Sequence, residues 1–173
     1  SLTYFHTTAD NLIQYRKIST VGNTSRSENI EKAKFNGLEH TLGVKMNDRW
    51  NFKVNSTWLF DAKQRGEGST WRDLEQRSEL SQVYSLSYDD GKDIGWSALL
   101  WDELNYKYAT PVQGRNSLSA GPRKTYHTLN FTLTRKVNKD TRIYGSVQNI
   151  FDKVDTDCYL DGRYWSLGWE HKF

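Results

Sequence analysis

The chain has 173 residues, 36% of them hydrophobic and 26% charged, with a mean hydropathy of −0.83. No run approaches the roughly 18 consecutive apolar residues of a membrane-spanning helix, which excludes an α-helical membrane protein, and aromatics at 14% spread along the chain argue against disorder. The 24 Lys/Arg and 21 Asp/Glu are interleaved to a net charge of +3, a solvated pattern unlike the one-sided basic face of a nucleic-acid binder, and the single Cys158 excludes an internal disulfide or a cysteine-cluster zinc site.

Taken in chain order, the elements all read as strands. Expected spans are 2–17, 28–46, 50–65, 73–88, 93–109, 122–137, 141–156 and 162–173. In the second, Leu38, His40, Leu42, Val44 and Met46 alternate with polar neighbours. The third is the clearest: Trp50, Phe52, Val54, Ser56, Trp58, Phe60 and Ala62 fall on one face, and Asn51, Lys53, Asn55, Thr57, Asp61 and Lys63 on the other, broken only by Leu59. A helix would scatter those aromatics around its circumference, whereas a strand gathers them on one side. The same period recurs through Tyr84, Leu86 and Tyr88, through Ile94 to Leu100, through Leu129 to Val137, through Ile143 to Val147, and through Trp165, Leu167, Trp169 and Phe173.

The connections alternate as well. Asn47-Asp48, Asp89-Asp90-Gly91-Lys92 and Asn138-Lys139-Asp140 are tight joints, while Ser19–Ser27, Gly66–Trp71, Thr110–Gly121 and the stretch Asp157–Asp161 are longer polar connections. Short turns at one end and long loops at the other describe an antiparallel up-and-down sheet whose ends meet different environments. Most spans exceed both the usual five or six or so residues of soluble strands and the nine to eleven or so that cross a bilayer. Trp50, Tyr88, Trp96 and Phe173 cluster beside the short turns, and Tyr15, Trp101, Tyr159 and Trp165 toward the long loops, as two interfacial girdles would place them. The packed core of a sandwich fits the same aromatics, so composition and period leave the two readings open.

Two segments carry a resemblance that favours the membrane. The ending Gly162-Arg163-Tyr164-Trp165-Ser166-Leu167-Gly168-Trp169-Glu170-His171-Lys172-Phe173 resembles the C-terminal signal by which outer-membrane barrels are recognised for assembly, carried here by Trp165, Leu167, Trp169 and Phe173, with His171 where that pattern has an aromatic or aliphatic residue. Upstream, Val147-Gln148-Asn149-Ile150-Phe151-Asp152-Lys153 followed by Gly162-Arg163-Tyr164 resembles the closing hairpin of TonB-dependent outer-membrane receptors, and Asn29 to Glu39 is similar to an earlier strand of those barrels, with Asn11-Leu12-Ile13 before it. The resemblance implies an all-β fold in which residues 1–173 form about eight strands of the C-terminal part of a barrel of roughly 22, without the plug domain and the earlier strands. It implies an integral outer-membrane receptor that takes up a metal chelate, a ferric siderophore first and haem or cobalamin otherwise, driven by TonB, with no covalent chemistry. Implied partners are the rest of the barrel, the plug, TonB, the barrel-assembly machinery, outer-membrane lipid and the chelate.

Planar aromatics and cations suit anionic, aromatic chelates, so Trp71, Arg72, Tyr106, Tyr108, Arg115 and Arg123 on the long-loop side are the candidate ligand contacts. The plainer reading of each is a solvated loop or girdle residue. The inward faces are expected to carry Lys53, Asn55, Asp61, Lys63, Glu170 and Lys172 in a wet lumen. Two other classes fit the length: a soluble lipocalin-like binder, and a small outer-membrane barrel with an acyl-transfer or lipase activity. The latter needs a nucleophile and base in register, and His6, His40, His127 and His171 lie on different strands with no Ser/Asp constellation around them. No His-x-x-x-His or acidic calcium loop marks a metal site, no cofactor is implied, and Cys158 is expected to be a bystander open to labelling.

Overall fold

The computed structural model describes residues 1–17, 25–66, 70–110 and 121–173, with side chains except those of 12–31. Its strands are β1 (Leu2–Lys17), β2 (Ser25–Lys45), β3 (Trp50–Arg65), β4 (Arg72–Asp73), β5 (Leu80–Asp89), β6 (Trp96–Ala109), β7 (Arg123–Lys136), β8 (Thr141–Gln148), β9 (Val154–Asp155), β10 (Leu160–Asp161) and β11 (Tyr164–His171). One ladder runs in the order β1-β2-β3-β5-β6-β7-β8-β11, antiparallel at every step, with β4 paired to β3 and with β9 and β10 forming a small separate hairpin. Each long strand therefore pairs with its neighbour in sequence, the up-and-down order that the alternating connections predict.

Asn and Asp side chains close the short turns by standing in for backbone acceptors. Asn47 Oδ1 accepts from the amides of Arg49 (2.9 Å) and Trp50 (3.0 Å), and Asn138 Oδ1 from that of Asp140 (2.9 Å). Between β5 and β6, Asp89 Oδ1 accepts from Gly91 N (2.8 Å), where the backbone takes a φ of 71° that glycine tolerates. The amides of Trp96 and then Lys92 hold the Asp90 carboxyl below the usual carboxylate range.

Register assigns the faces. One row runs Trp50, Tyr88, Ala98, Leu133, Gly145, Leu167, and the next Phe52, Leu86, Leu100, Phe131, Val147, Trp165. These rows form an apolar outer face whose Trp50, Trp96, Leu167 and Trp169 are exposed. The opposite face is polar: Thr41 pairs with Asn55, Ser81 with Asn105, and Ser146 with Ser166. Such a sheet has no conventional core, and its few buried apolar residues, Ala33, Tyr108, Ala109, Val147 and Cys158 among those described, lie mostly toward the long-loop end. Trp101, expected in a girdle, pairs with Ser85 and Asn130 on the polar face and donates from Nε1 to Glu103 Oε1 at 2.8 Å.

Two features depart from the sequence reading. The expected strand 73–88 is interrupted: Leu74 still donates to Ala62 O of β3 (2.9 Å), but Gln76 adopts a φ of 57° with its amide on Ala109 O (2.6 Å), and bonds of Gln76, Arg77 and Glu79 to β6 hold the chain until β5 starts. The expected strand 141–156 stops at Gln148, because Asn149 turns into the left-handed region (φ 51°).

A β-bulge also re-phases β3. Gly37 pairs with Leu59 but Asn36 with Asp61, so Phe60 is an extra residue, and beyond it Asp61 and Lys63 join the outer face with Lys34 instead of pointing inward as strict alternation requires. Gly37 allows this crossing. A Cβ there would run into the Trp58 carbonyl and stand 2.9 Å from Phe5 Cζ. Gly37→Ala is expected to destabilise the barrel by about 1–3 kcal/mol, seen as a lower urea midpoint for a receptor carrying this chain, whereas Gly43→Ala, where the added methyl meets nothing within 4 Å, shifts it far less.

Candidate ligand face and the long-loop rim

Of the six nominated ligand contacts, Arg115 lies outside the described residues, and register divides the other five between the faces. Arg72 pairs with Gln64 and Tyr108 with Lys124, both polar-face positions. Trp71 lies two residues from Asp73, which pairs with the outward Lys63, while Tyr106 pairs with the outward Leu80. Arg123 shares the outward phase of Leu129 and Phe131, and its guanidinium reaches Asp73 Oδ2 at 2.7 Å. The reason for the division is a second bulge: Asn105 pairs with Tyr126 but Tyr108 with Lys124, and the extra residue, near Lys107 (φ 49°), puts Tyr106 and Tyr108 on opposite faces although they are two apart.

On the outer face these residues form a rim. The Lys34 ammonium and the Arg65 guanidinium each lie 5.1 Å from the Trp71 ring centroid. Asp61 bridges Lys34 (3.6 Å) and Lys63 (2.8 Å). Beside them Arg123 also meets Glu79 at 3.4 Å, and Glu79 meets Lys107 at 2.9 Å. A cavity of 350 Å³ opens among Trp58, Phe60, Asp61, Lys63, Asp73 and Arg123.

On the polar face a strap covers the rim from within. Asn149, 6% exposed, donates its amide to Asn130 Oδ1 (2.9 Å) and closes a small ring with Lys153 through both ends of its side chain (2.7 and 3.1 Å). Asp152 Oδ1 accepts from Arg163 N at 2.8 Å, next to Gly162 with φ 93°. These bonds give a physical meaning to the segment Asn149 to Lys153 and to Gly162-Arg163 in the sequence. From that base β9, a single 3₁₀ turn (Thr156–Cys158) and β10 reach across to Lys124, whose ammonium donates to both oxygens of Asp155 (2.9 and 2.8 Å) and to Asp157 Oδ2 (2.9 Å). Gln76 Nε2 donates to the Tyr159 hydroxyl at 3.2 Å. Under the strap Tyr108 stacks edge-on against Tyr126 at 5.6 Å, and Cys158 is 4% exposed.

The burial of Cys158 corrects the expectation of a thiol open to labelling, and desolvation, followed by the charge of Asp155, raises its pKa. The hydrogen bonds from Lys124 hold the Asp155 carboxyl below the usual carboxylate range. Sequence reasoning missed Lys124, Asp155 and Asp157 because the first lies about 30 residues from the others along the chain (31 to Asp155). The signal available was Asp155-Thr156-Asp157 opposite a strand start with a lone inward lysine. Trp165, Leu167, Trp169 and Phe173 lie in or just after β11, with the first three on its outer face.

An up-and-down antiparallel sheet with an apolar outer face, a polar inner face, short turns at one end and long loops at the other is a segment of a transmembrane β-barrel. Residues 1–150 match the family described as TonB dependent receptor-like, beta-barrel, so the chain belongs to the TonB-dependent receptors, a family of transporters, and resides in the outer membrane. Among solved structures, the copper transporter OprC superposes with a TM-score of 0.68 at 16% identity, over 99% of this chain and 28% of that one. The ferric enterobactin receptor PfeA in complex with BCV-L6 superposes at 0.66 and 18% identity, over 99% and 29%, and the G324V mutant of PfeA from Pseudomonas aeruginosa at 0.61 and 18%, over 99% and 28%. The chain thus spans less than a third of the solved receptors it matches, and these likenesses describe its fold. No curated protein matches the sequence.

Because Asp155 is held low, the bond to Lys124 is fully present above the ordinary carboxylate range and is lost as pH falls through the lowered value, below about 4. At neutral pH Asp155→Asn removes the charge directly. Alkylation of Cys158 by iodoacetamide is expected to be slow in the wild type and several-fold faster in Asp155→Asn; equal rates would mean that Lys124 does not hold the strap.

Proposed function

We propose that this chain is the C-terminal part of the barrel of an outer-membrane receptor that takes up a metal chelate, a ferric siderophore in the first instance, with transport energised through TonB. In this reading the rest of the barrel closes the sheet, a plug domain occupies the lumen, and the assembly machinery recognises Trp165, Leu167, Trp169 and Phe173. The observation that carries it is the wide, predominantly polar face, with Thr41 and Asn55, Ser81 and Asn105, and Ser146 and Ser166 across its strands, which suits the hydrated lumen of a large barrel. The names of the structural neighbours, a copper transporter and ferric enterobactin receptors, point to metal cargo.

Within that reading the nominated contacts separate by face. Arg72 and Tyr108 belong to the inner face and are our choice for cargo contact, Tyr108 together with Tyr126 once the strap lifts. Trp71, Tyr106 and Arg123 face outward and serve the membrane boundary, while Arg115 stays a nominee on sequence grounds alone. Binding of a ferric catecholate, followed by intrinsic fluorescence quenching of the complete receptor, tests both parts. Arg72→Ala combined with Tyr108→Ala is expected to weaken it by roughly tenfold, about 1.4 kcal/mol, and Tyr106→Ala to leave it unchanged. Binding of haem or cobalamin, but no ferric chelate, would replace the siderophore reading with one of those cargoes.

A further inference from the structure

We infer that Lys124 is a contact for the anionic groups of the cargo, and that Asp155 and Asp157 of the strap occupy it in their stead until cargo arrives. The inference rests on the uptake reading above and adds to it the means by which the site opens. An ammonium has three N–H donors. At Lys124 all three are taken by carboxylate oxygens, both of Asp155 (2.9 and 2.8 Å) and Oδ2 of Asp157 (2.9 Å). An anion from the lumen therefore gains this ammonium only by displacing the strap. The exchange is within reach of a ligand, because the pairs are partly open to solvent, with side-chain exposures of 36% for Lys124, 32% for Asp155 and 42% for Asp157, and each is worth far less than a buried ion pair.

The strap is built to lift at its tip while its base stays in place. Asn149 remains on Asn130 and Asp152 on Arg163, and the tip between them, β9, the 3₁₀ turn and β10, is bracketed by left-handed backbone at Asp152 (φ 56°) and Gly162 (φ 93°). The tip meets the sheet at Lys124 and at Gln76, whose Nε2 donates to the Tyr159 hydroxyl. Beneath it lie the stacked rings of Tyr108 and Tyr126. Release of Lys124 thus uncovers a cation and an aromatic pair in one movement, the two kinds of contact that an anionic aromatic chelate uses. A neutral chelate has nothing to offer Lys124 in exchange for two carboxylates, so the strap favours cargo that carries negative charge.

The test uses the complete receptor with two probes, the anionic ferric complex of catechol and a neutral ferric trihydroxamate. Binding is followed by fluorescence quenching, and the strap by the rate at which iodoacetamide alkylates Cys158, read by peptide mass spectrometry. Saturating catecholate is expected to raise that rate several-fold, and the hydroxamate to leave it unchanged. Asp155→Asn removes the competing charge but keeps an acceptor for the Asp157 amide, and should tighten catecholate binding roughly fivefold. Lys124→Gln loosens the strap equally and should weaken binding by about as much. Asp161→Asn takes the same charge from the same hairpin without touching Lys124, and should change binding less than about twofold. Catecholate binding with an unchanged or slower alkylation, equal acceleration by the hydroxamate, effects of one sign in Asp155→Asn and Lys124→Gln, a gain in Asp161→Asn as large as in Asp155→Asn, or binding of the hydroxamate alone would each overturn the inference and leave the uptake reading standing. Failure of both chelates to bind would remove the ferric-siderophore reading and the inference with it.

Discussion

A backbone N–H or C=O left without a partner in hydrocarbon costs several kcal/mol, and this one penalty organises the chain. Every long strand from β1 to β11 is satisfied by an antiparallel neighbour within the ladder. Because adjacent strands in sequence are adjacent in the sheet, each hairpin settles its own backbone before the next is added. The two ends of the ladder, β1 and β11, each offer one edge to further strands, and in a bilayer those edges have to be met by the rest of a closed barrel. Once the backbone is settled, side chains are free to answer only to their surroundings, apolar toward lipid and polar toward the lumen. The period-two pattern and the average hydropathy of a soluble protein follow together from that division.

Legibility in the sequence follows the same physics. Between Trp50 and Trp58, or from Trp96 to Leu100, the pairing is regular and alternation alone assigns each residue to its face. It fails where an extra residue enters one strand of a pair. Phe60 and the residue beside Lys107 are single insertions in β3 and β6, and each reverses the phase of all that follows on its strand. Local marks are slight: Leu59 beside Phe60 breaks the alternation without saying which residue is extra, and the partner, Gly37, reveals by its lack of a side chain that backbone must pass close by. Trp101 shows a different limit. It obeys the period but sits on the polar face, where its indole N–H finds Glu103, so the polar tip and not the apolar body decided its side.

The strap between β8 and β11 is visible in the sequence as a pattern, and its cause lies in the hydrogen bonds of the folded chain. Asn149 is needed as asparagine, since it combines a left-handed backbone with acceptor and donor bonds to Lys153, and its own amide is taken by Asn130 of β7. Asp152 and Gly162 then bring the returning chain alongside. What remained hidden was the long-range part, the grip of Lys124 on Asp155 and Asp157, because a salt bridge between residues about 30 positions apart leaves no periodic trace. The same grip explains why a lone cysteine on a surface connection is nevertheless buried.

The apolar face also carries a band that hydrocarbon alone would not favour. His40, Ser56, Gln82 and His127 lie on one cross-strand row with Leu104, and Tyr84 and Asp102 on the row beneath it, all in the outward phase. Their polar atoms are turned on one another: Gln82 Nε2 donates to Ser56 Oγ at 3.1 Å, the Tyr84 hydroxyl donates to Gln82 Oε1 at 2.6 Å, and His127 Nδ1 meets Asp102 Oδ1 at 3.0 Å. A polar group facing lipid is tolerable when its partner is at hand, for the reason that governs the backbone. Cross-strand pairing brings residues directly or diagonally opposite within reach, so a strand contributing one polar residue to the outer face needs a neighbour that contributes another. In this band the polar residues on the lipid side therefore come as a connected row, and the row belongs to the sheet's pairing as much as the ladder beneath it.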